Sequence, residues 1–353
     1  MNKISSYVFK RWKLLLNIVT IVALAITLYT IRHDLVTTFR DLLQVHAWVL
    51  ILIIPLEMFN YHFQTKLYQK LFGAVRNMVS YKHMLRAALE LNFVNHVFPS
   101  GGAVGISYFG LRVKAREISG AKATMVQLMK LMLTFFSFEI LVIFSIFSLA
   151  LSDRVNSFTI LIAGILSTLL IVGSGLFIFV LWKKERINMF LEFFTNKLNS
   201  FVKHIHNSGK DIINMDKARE VFTDLHNTFY EMCADPKRMK ISLVYALFMN
   251  ITEITVIYIV FVSFGHFVNP GAIILAYGIA NFAGFVSVLP GGVGIYETLM
   301  ITVLLVAGIP ASLSLPVIIM YRVLNTLLQL PPGYYLYQKE IARHSKHSQV
   351  IKI

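Results

Sequence analysis

Charge is scarce in this chain: Asp, Glu, Lys and Arg make up 14% of 353 residues, and only 18 residues are acidic. Soluble domains carry about a quarter charged residues, so the deficit excludes an ordinary water-facing surface. Cysteine is scarcer still. The single Cys233 excludes an internal disulfide and any multi-cysteine metal site. Walker A loops, H-E-x-x-H zinc pairs and G-x-S-x-G nucleophile turns are also missing. The expectation is a protein with no cofactor, no metal and no catalytic residue, and therefore not an enzyme.

What the chain has instead is apolar length. It is 56% hydrophobic with mean hydropathy +0.66, which reads as an all-α polytopic membrane protein forming a single integral membrane domain over 1–353. A bilayer crossing takes about 20 apolar residues. Six runs qualify: Leu14 to Ile31, Ala47 to Gln64, Ala123 to Leu151, Phe158 to Trp182, Ile241 to Phe264 and Ala311 to Tyr337. The first follows Lys3, Lys10, Arg11 and Lys13 and lacks a small-residue cleavage site after Ile31, so it reads as an uncleaved span.

Two further apolar regions, Leu85 to Leu111 and Gly271 to Ala307, are interrupted by related motifs. These are Pro99-Ser100-Gly101-Gly102-Ala103-Val104-Gly105 and Pro290-Gly291-Gly292-Val293-Gly294. Lipid has no partners for freed backbone groups, so such a break belongs where it is covered by protein or lines a polar cavity. The pieces are mostly short for spanning, and they read as two re-entrant hairpins.

The formal charge of +15 could point to nucleic acid, but its placement points to a membrane face. With the N-terminus inside, 28 of the 33 basic residues fall on the inner side: the leader, Lys66 to Arg86, Arg112 to Lys122, Lys183 to Lys240 and the tail from Lys339. Arg32, Arg40 and Arg154 are outside; Lys130 and Arg322 lie within the membrane. The expectation is a multi-pass cell-membrane protein with both termini cytoplasmic, beside anionic lipid and not nucleic acid.

On this topology the hairpins enter from opposite sides. Each follows a span with a central Glu and Asn (Glu57 and Asn60; Asn250 and Glu253) and precedes a span with an intramembrane base, Lys130 or Arg322. Asn92-Phe93 and Asn281-Phe282 match ahead of the motifs. Together these mark an inverted-topology repeat, about 47–151 and 241–337, separated by a cytoplasmic amphipathic segment at 183–240. In that segment Ile187, Phe190, Leu191, Phe194, Leu198, Phe201, Val202 and Ile205 recur at helical spacing, followed by Val221, Phe222, Leu225, Phe229 and Met232.

The run Pro290-Gly291-Gly292-Val293-Gly294-Ile295-Tyr296-Glu297, with the segment from Asn92 to Gly105 and a final span bearing Arg322 and Asn325, resembles the lysylphosphatidylglycerol synthase transmembrane-region family, also described as flippase-like. The resemblance implies movement of lipids between leaflets. Bifunctional members carry a fused aminoacyl transferase; the chain ends sixteen residues after Tyr337, so a stand-alone domain is expected.

Arg322 lies about ten residues into its span, near the midplane at 1.5 Å per residue. It reads either as a binder of an anionic headgroup or as half of an ion pair with Glu57, Glu139 or Glu253. Lys130 has the same choice, and could also snorkel to the interface. Glu57, Glu139, Glu253 and Glu297 either neutralise these bases or carry protons. Gly101, Gly102, Gly105, Gly291, Gly292 and Gly294 read as tight turns that aim half-helix N-termini at a phosphate, with Glu297 stabilising the second terminus. Asn92, Asn95, His96 and Asn281 either bond a headgroup or tie the broken backbone to neighbours.

The function expected is translocation of a lipid or polyprenyl-linked amphiphile with an anionic headgroup. The alternatives are an accessory protein docking a separate lipid-modifying enzyme through 183–240, and a membrane-embedded lipid transferase.

Overall fold

The computed structural model describes residues 45–98, 103–114, 118–152, 156–183, 185–186, 189, 215–286 and 294–350. The first expected span, the pattern from Ile187 to Ile205, and Gly101, Gly102, Gly291 and Gly292 lie outside the described residues. Among the described residues all regular structure is helical. A 3-10 turn at Ala47–Leu52 leads into α1 (Ile53–Ala74), followed by α2 (Tyr81–Val97), α3 (Ala103–Lys114), α4 (Gly120–Ala150) and α5 (Ser157–Trp182). Then come α6 (Met215–Cys233), α7 (Pro236–Ser263), α8 (Pro270–Val286), α9 (Ile295–Val306) and α10 (Ala311–Val350).

Starts of these helices follow side-chain chemistry. Asn156 accepts from the Thr159 amide at 2.8 Å while the Thr159 hydroxyl accepts from the Asn156 amide at 2.9 Å, a reciprocal box opening α5. Asp235 caps α7 by accepting from the Arg238 amide at 3.0 Å, with Pro236 at the first helical position.

Among the described residues four helices are long and apolar enough to cross a bilayer: α4, α5, α7 and α10 as far as Ala342. They make this a multi-pass membrane protein. Their outward faces are apolar, with Ile143, Phe144 and Phe147 on α4 and Leu161, Ile165 and Leu176 on α5 all exposed. Helix α1 has 22 residues, but Glu57, Asn60, His62, Gln64 and Lys66 dilute its hydropathy below that of a plain span. The two interrupted regions appear as the helix pairs α2/α3 and α8/α9.

Burial divides into distinct cores. One joins Ile53 of α1 and the second half of α4, from Phe138 to Leu149, with α5, α7, α8, α9 and the first turns of α10. Another joins Leu67 to Ala74 of α1, α2, α3, the first half of α4 from Ala121 to Leu133, and α6. A small third core joins α2 to the later part of α10 through Phe93, Val94, Leu330 and Tyr337. Helix pair α2/α3 therefore packs at one end of the long helices and α8/α9 at the other.

Leu225, Phe229 and Met232 of α6 are buried against the second core, so this amphipathic helix spends its apolar stripe on the protein itself. Val221 stays exposed.

Candidate functional site

Between the two larger cores lies a layer of buried polar side chains. On α1 the residues separating Ile53 from Leu67 include Glu57, Asn60, Tyr61 and Gln64, all buried. On α4 the change from one core to the other falls at Thr134 and Ser137; on α7 it falls at Asn250 and Thr252, with Glu253 half-buried beside them. A polar belt midway along the bundle is costly in an apolar interior unless its groups are bonded.

Most are bonded across helices. Asn60 Nδ2 donates to the Met249 carbonyl and to Thr252 Oγ1, each at 2.9 Å, tying α1 to α7. Asn250 Nδ2 donates to Ser137 Oγ at 2.5 Å, tying α7 to α4. Helix α10 contributes Tyr321, Asn325 and Gln329, which at spacing i, i+4, i+8 share one face. Tyr321 Oη donates to Glu253 Oε2 at 3.1 Å, Asn325 Nδ2 donates to Tyr321 Oη at 3.3 Å, Gln329 Nε2 donates to Asn325 Oδ1, and the same amide nitrogen lies 3.4 Å from Glu57 Oε2. Glu57 and Glu253 are thus the two ends of one hydrogen-bonded string.

Arg322 turns the other way. Its Nε lies 2.9 Å from Glu297 Oε1, and its guanidinium sits over the Tyr296 ring at 4.7 Å. Both charged side chains are about one-fifth exposed, 21% and 20%, so the pair stands at the edge of the polar layer with access from outside. Glu297 also accepts from the Gly294 amide at 2.6 Å through Oε2, covering a free N–H at the start of α9. Gly294 has φ +87°, a backbone conformation that side-chain-bearing residues rarely adopt.

The expected partners are therefore corrected. Arg322 pairs with Glu297 and not with Glu57, Glu139 or Glu253, because Glu297 is presented by the helix start that the glycine turn brings beside α10. Glu297 holds both the Gly294 amide and Arg322. Lys130 belongs to another cluster, its Nζ lying 5.0 Å from the centre of the Tyr68 ring. Tyr68 in turn donates to Gln127 at 3.0 Å. Glu139 Oε2 is buried without a hydrogen-bond partner.

Of the expected hairpin residues, His96 bonds the Asn92 carbonyl at 2.9 Å and lies within the field of Arg322. Asn92 also accepts from Gln64 at 3.3 Å. The Asn95 side chain occupies the space that a Cβ on Gly105 would need, so Gly105 permits α2 and α3 to meet. Asn281 donates to the Tyr277 carbonyl at 2.9 Å, a local bond within α8.

Tyr321, Gln329 and Tyr61 were missed from sequence, although polar residues at helical spacing in an otherwise apolar span were a usable signal for the first two. A second omission is a buried ionic triad. Arg112 Nε lies 2.6 Å from Glu90 Oε2 and its Nη1 3.1 Å from Glu340 Oε1; Tyr108 Oη donates to Glu90 at 3.0 Å. Arg112 reads in sequence as a loop base, yet it is 8% exposed and fastens α3 to α2 and α10.

The family model for the lysylphosphatidylglycerol synthase TM region matches residues 14–333, which takes in both interrupted regions and the Arg322 span. No curated protein matches the chain closely enough to count as a relative.

Proposed function

The chain belongs to the lysylphosphatidylglycerol synthase transmembrane-region family, a membrane domain with a lipid-related role, and from that premise we propose that it moves an amphiphile with an anionic headgroup between leaflets without making or breaking covalent bonds. The observation that carries this reading is the Arg322–Glu297 pair, a mid-span guanidinium held at 2.9 Å by a carboxylate at the start of a broken helix, with both groups partly open. A headgroup phosphate can take the place of the Glu297 carboxylate on the guanidinium, because Arg offers a planar fork that suits either anion. Glu297 then serves as the internal counter-charge when no lipid is bound.

The architecture proposed around it has six spans and two re-entrant hairpins in an inverted-topology repeat. Supporting this, α2/α3 and α8/α9 are built into cores at opposite ends of the long helices. Their packing is also exchanged: α8, from the second interrupted region, packs on α4 of the first half, and α2, from the first, packs on α10 of the second. Such an arrangement suits alternating exposure of a site near the midplane.

In vesicles reconstituted with the purified chain and fluorescent phosphatidylglycerol as probe, Arg322→Ala is expected to slow leaflet exchange by about 10- to 100-fold, corresponding to the roughly 1.5–3 kcal/mol of a charge-assisted hydrogen bond. Arg322→Lys keeps the charge but loses the fork, and should fall between. Wild-type exchange by well-folded Arg322→Ala protein would sink the role assigned to this residue.

The sidedness is testable with the natural thiol. Cys233 is exposed at the end of α6, just before α7 begins. With the basic segment inside, a membrane-impermeant maleimide should label Cys233 in inverted vesicles and leave it unlabelled in intact cells. The reverse pattern would turn the topology over.

A further inference from the structure

The polar layer contains two carboxylates that the headgroup reading does not use. Glu57 is 5% exposed and Glu253 half-buried, and the two interact with each other electrostatically. No ion pair reaches either one among the described residues: Arg322 is engaged by Glu297, and Lys130 lies over Tyr68. What surrounds the carboxylates is phenol. Tyr61 of α1, Tyr277 of α8, Tyr296 of α9 and Tyr321 of α10 all lie within the field of Glu253. From the other helices packed here, the titratable groups are Glu139 and Lys130 on α4, and His96 on α2, which is turned towards Arg322. Two like charges sharing a poorly solvated site with no cation cannot both stay ionised.

The hydrogen bonding distinguishes the two acids. Glu253 Oε2 accepts a hydroxyl donor, Tyr321, at 3.1 Å, which favours a carboxylate. Glu57 has one long contact to an amide at 3.4 Å, and its Oε1 has no hydrogen-bond partner. Gln329 Oε1 is likewise without a partner, on a side chain 4% exposed. An anionic oxygen with no donor in a poorly solvated site is costly, and a proton on Glu57 removes that charge. Among the described residues no three His, Cys, Asp or Glu side chains come together as a metal ion would require.

We propose that Glu57 and Glu253 form a proton-binding pair, with the proton resting on Glu57 and the charge on Glu253, and that its loading and unloading drives the lipid movement proposed above. The coupling element is α10. Tyr321, which holds Glu253, is followed directly by Arg322, which holds Glu297, and two turns later Gln329 reaches Glu57. A headgroup drawing Arg322 from Glu297 acts on the same helical turn that positions the hydroxyl on Glu253. Release of the Glu57 proton to water leaves two adjacent anions, and the charge balance is restored when a proton returns from the opposite side.

The inference rests on the translocation reading, so its test has two arms. Infrared difference spectra of the full chain in nanodiscs at neutral pH should contain a protonated-carboxyl band that Glu57→Gln removes and Glu253→Gln keeps. Tyr321→Phe, which loses only a hydroxyl, should add a second such band as Glu253 loses its donor and takes a proton. A spectrum unchanged by Glu57→Gln, or no second band in Tyr321→Phe, overturns the assignment. In vesicles with fluorescent phosphatidylglycerol, a gradient of one pH unit should give a steady leaflet ratio of about tenfold for one proton per lipid, and Glu57→Gln should give an even distribution. An even distribution in the wild type, or the same bias from a sodium gradient at uniform pH, overturns proton coupling. If the probe moves in no preparation, translocation itself fails, and the infrared arm alone decides the proton pair.

Discussion

Replacing Arg112 by alanine is expected to cost about 3–5 kcal/mol of stability, the range found when one member of a buried ion pair is removed and the other left behind. The residue left behind is Glu90, 1% exposed, whose Oε2 receives both Arg112 at 2.6 Å and the Tyr108 hydroxyl at 3.0 Å. Glu340, 12% exposed, loses a 3.1 Å partner at the same time. Three helices meet there, so the defect is not confined to one of them: α2 supplies Glu90, α3 Arg112 and α10 Glu340. Unfolding in detergent should show an apparent Tm lower by about 5–10 °C. Arg112→Lys retains a charge but cannot reach both acids with one planar group, and should lose less, about 1–2 kcal/mol. Glu340→Ala should be milder than Arg112→Ala, since it leaves the Glu90 pair intact. An Arg112→Ala protein that melts with the wild type would mean that water enters the triad and screens it.

The second large effect is expected at Gly333. A Cβ there would lie 2.6 Å from the Phe93 Cβ and 2.8 Å from the Leu89 carbonyl oxygen. The carbonyl is backbone of α2 and cannot rotate aside, so the helices must separate. Gly333→Ala should cost roughly 1–3 kcal/mol and Gly333→Val more, as overpacking does in a close-packed interface. The interface at stake is the third core, where Phe93 meets Tyr334 and Tyr337 with ring centres 5.6 and 5.3 Å apart. Its consequences extend along α10: Gln329 lies one turn before Gly333, and Asn325 and Tyr321 lie on the turns before that. Gly333→Val should therefore lower both the Tm and the leaflet-exchange rate, whereas a surface change at exposed Tyr335 should alter neither. Retention of wild-type exchange in Gly333→Val would show that the register of α10 against α2 does not matter to the site.

The close approach explains a feature of the final helix that its sequence alone obscures. Pro316, Pro331 and Pro332 all lie inside α10, where each lacks the amide that an uninterrupted helix would use. In a membrane bundle such positions are tolerated when neighbouring helices cover the freed groups. Around Pro331 and Pro332 the neighbour is α2, and Gly333 lets it come near.

Legibility differed sharply between the scaffold and the site. The expected runs Ala123 to Leu151 and Phe158 to Trp182 correspond to α4 and α5 within a few residues, since a bilayer crossing leaves a long apolar signature whatever its neighbours. Both interruptions fall where the Pro-Gly-Gly motifs stand, between α2 and α3 and between α8 and α9. Partners were less readable. Glu57, Glu253 and Arg322 stand out as ionisable residues in apolar spans, but the mid-span acids Glu57, Glu139 and Glu253 are the partners the sequence suggests for Arg322, and Glu297, the one it meets, reads first as a helix-start acid and only then as a charge-balancing one. Arg112 was counted among loop bases because nothing local marks it as buried; Glu90 and Glu340 that surround it come from 22 residues before and 228 after.

By itself the sequence determined that this is a helical membrane protein, where its apolar runs lie, and that Glu57, Glu253 and Arg322 stand within such runs, because each of these depends on local composition against lipid. Only the tertiary structure decided who meets whom: Arg322 with Glu297, Glu57 and Glu253 joined through α10, and Arg112 between two acids. Those pairings depend on how helices far apart in the chain rotate and settle against each other, and a partner brought within 3 Å by packing leaves no trace in the spacing of residues along one helix.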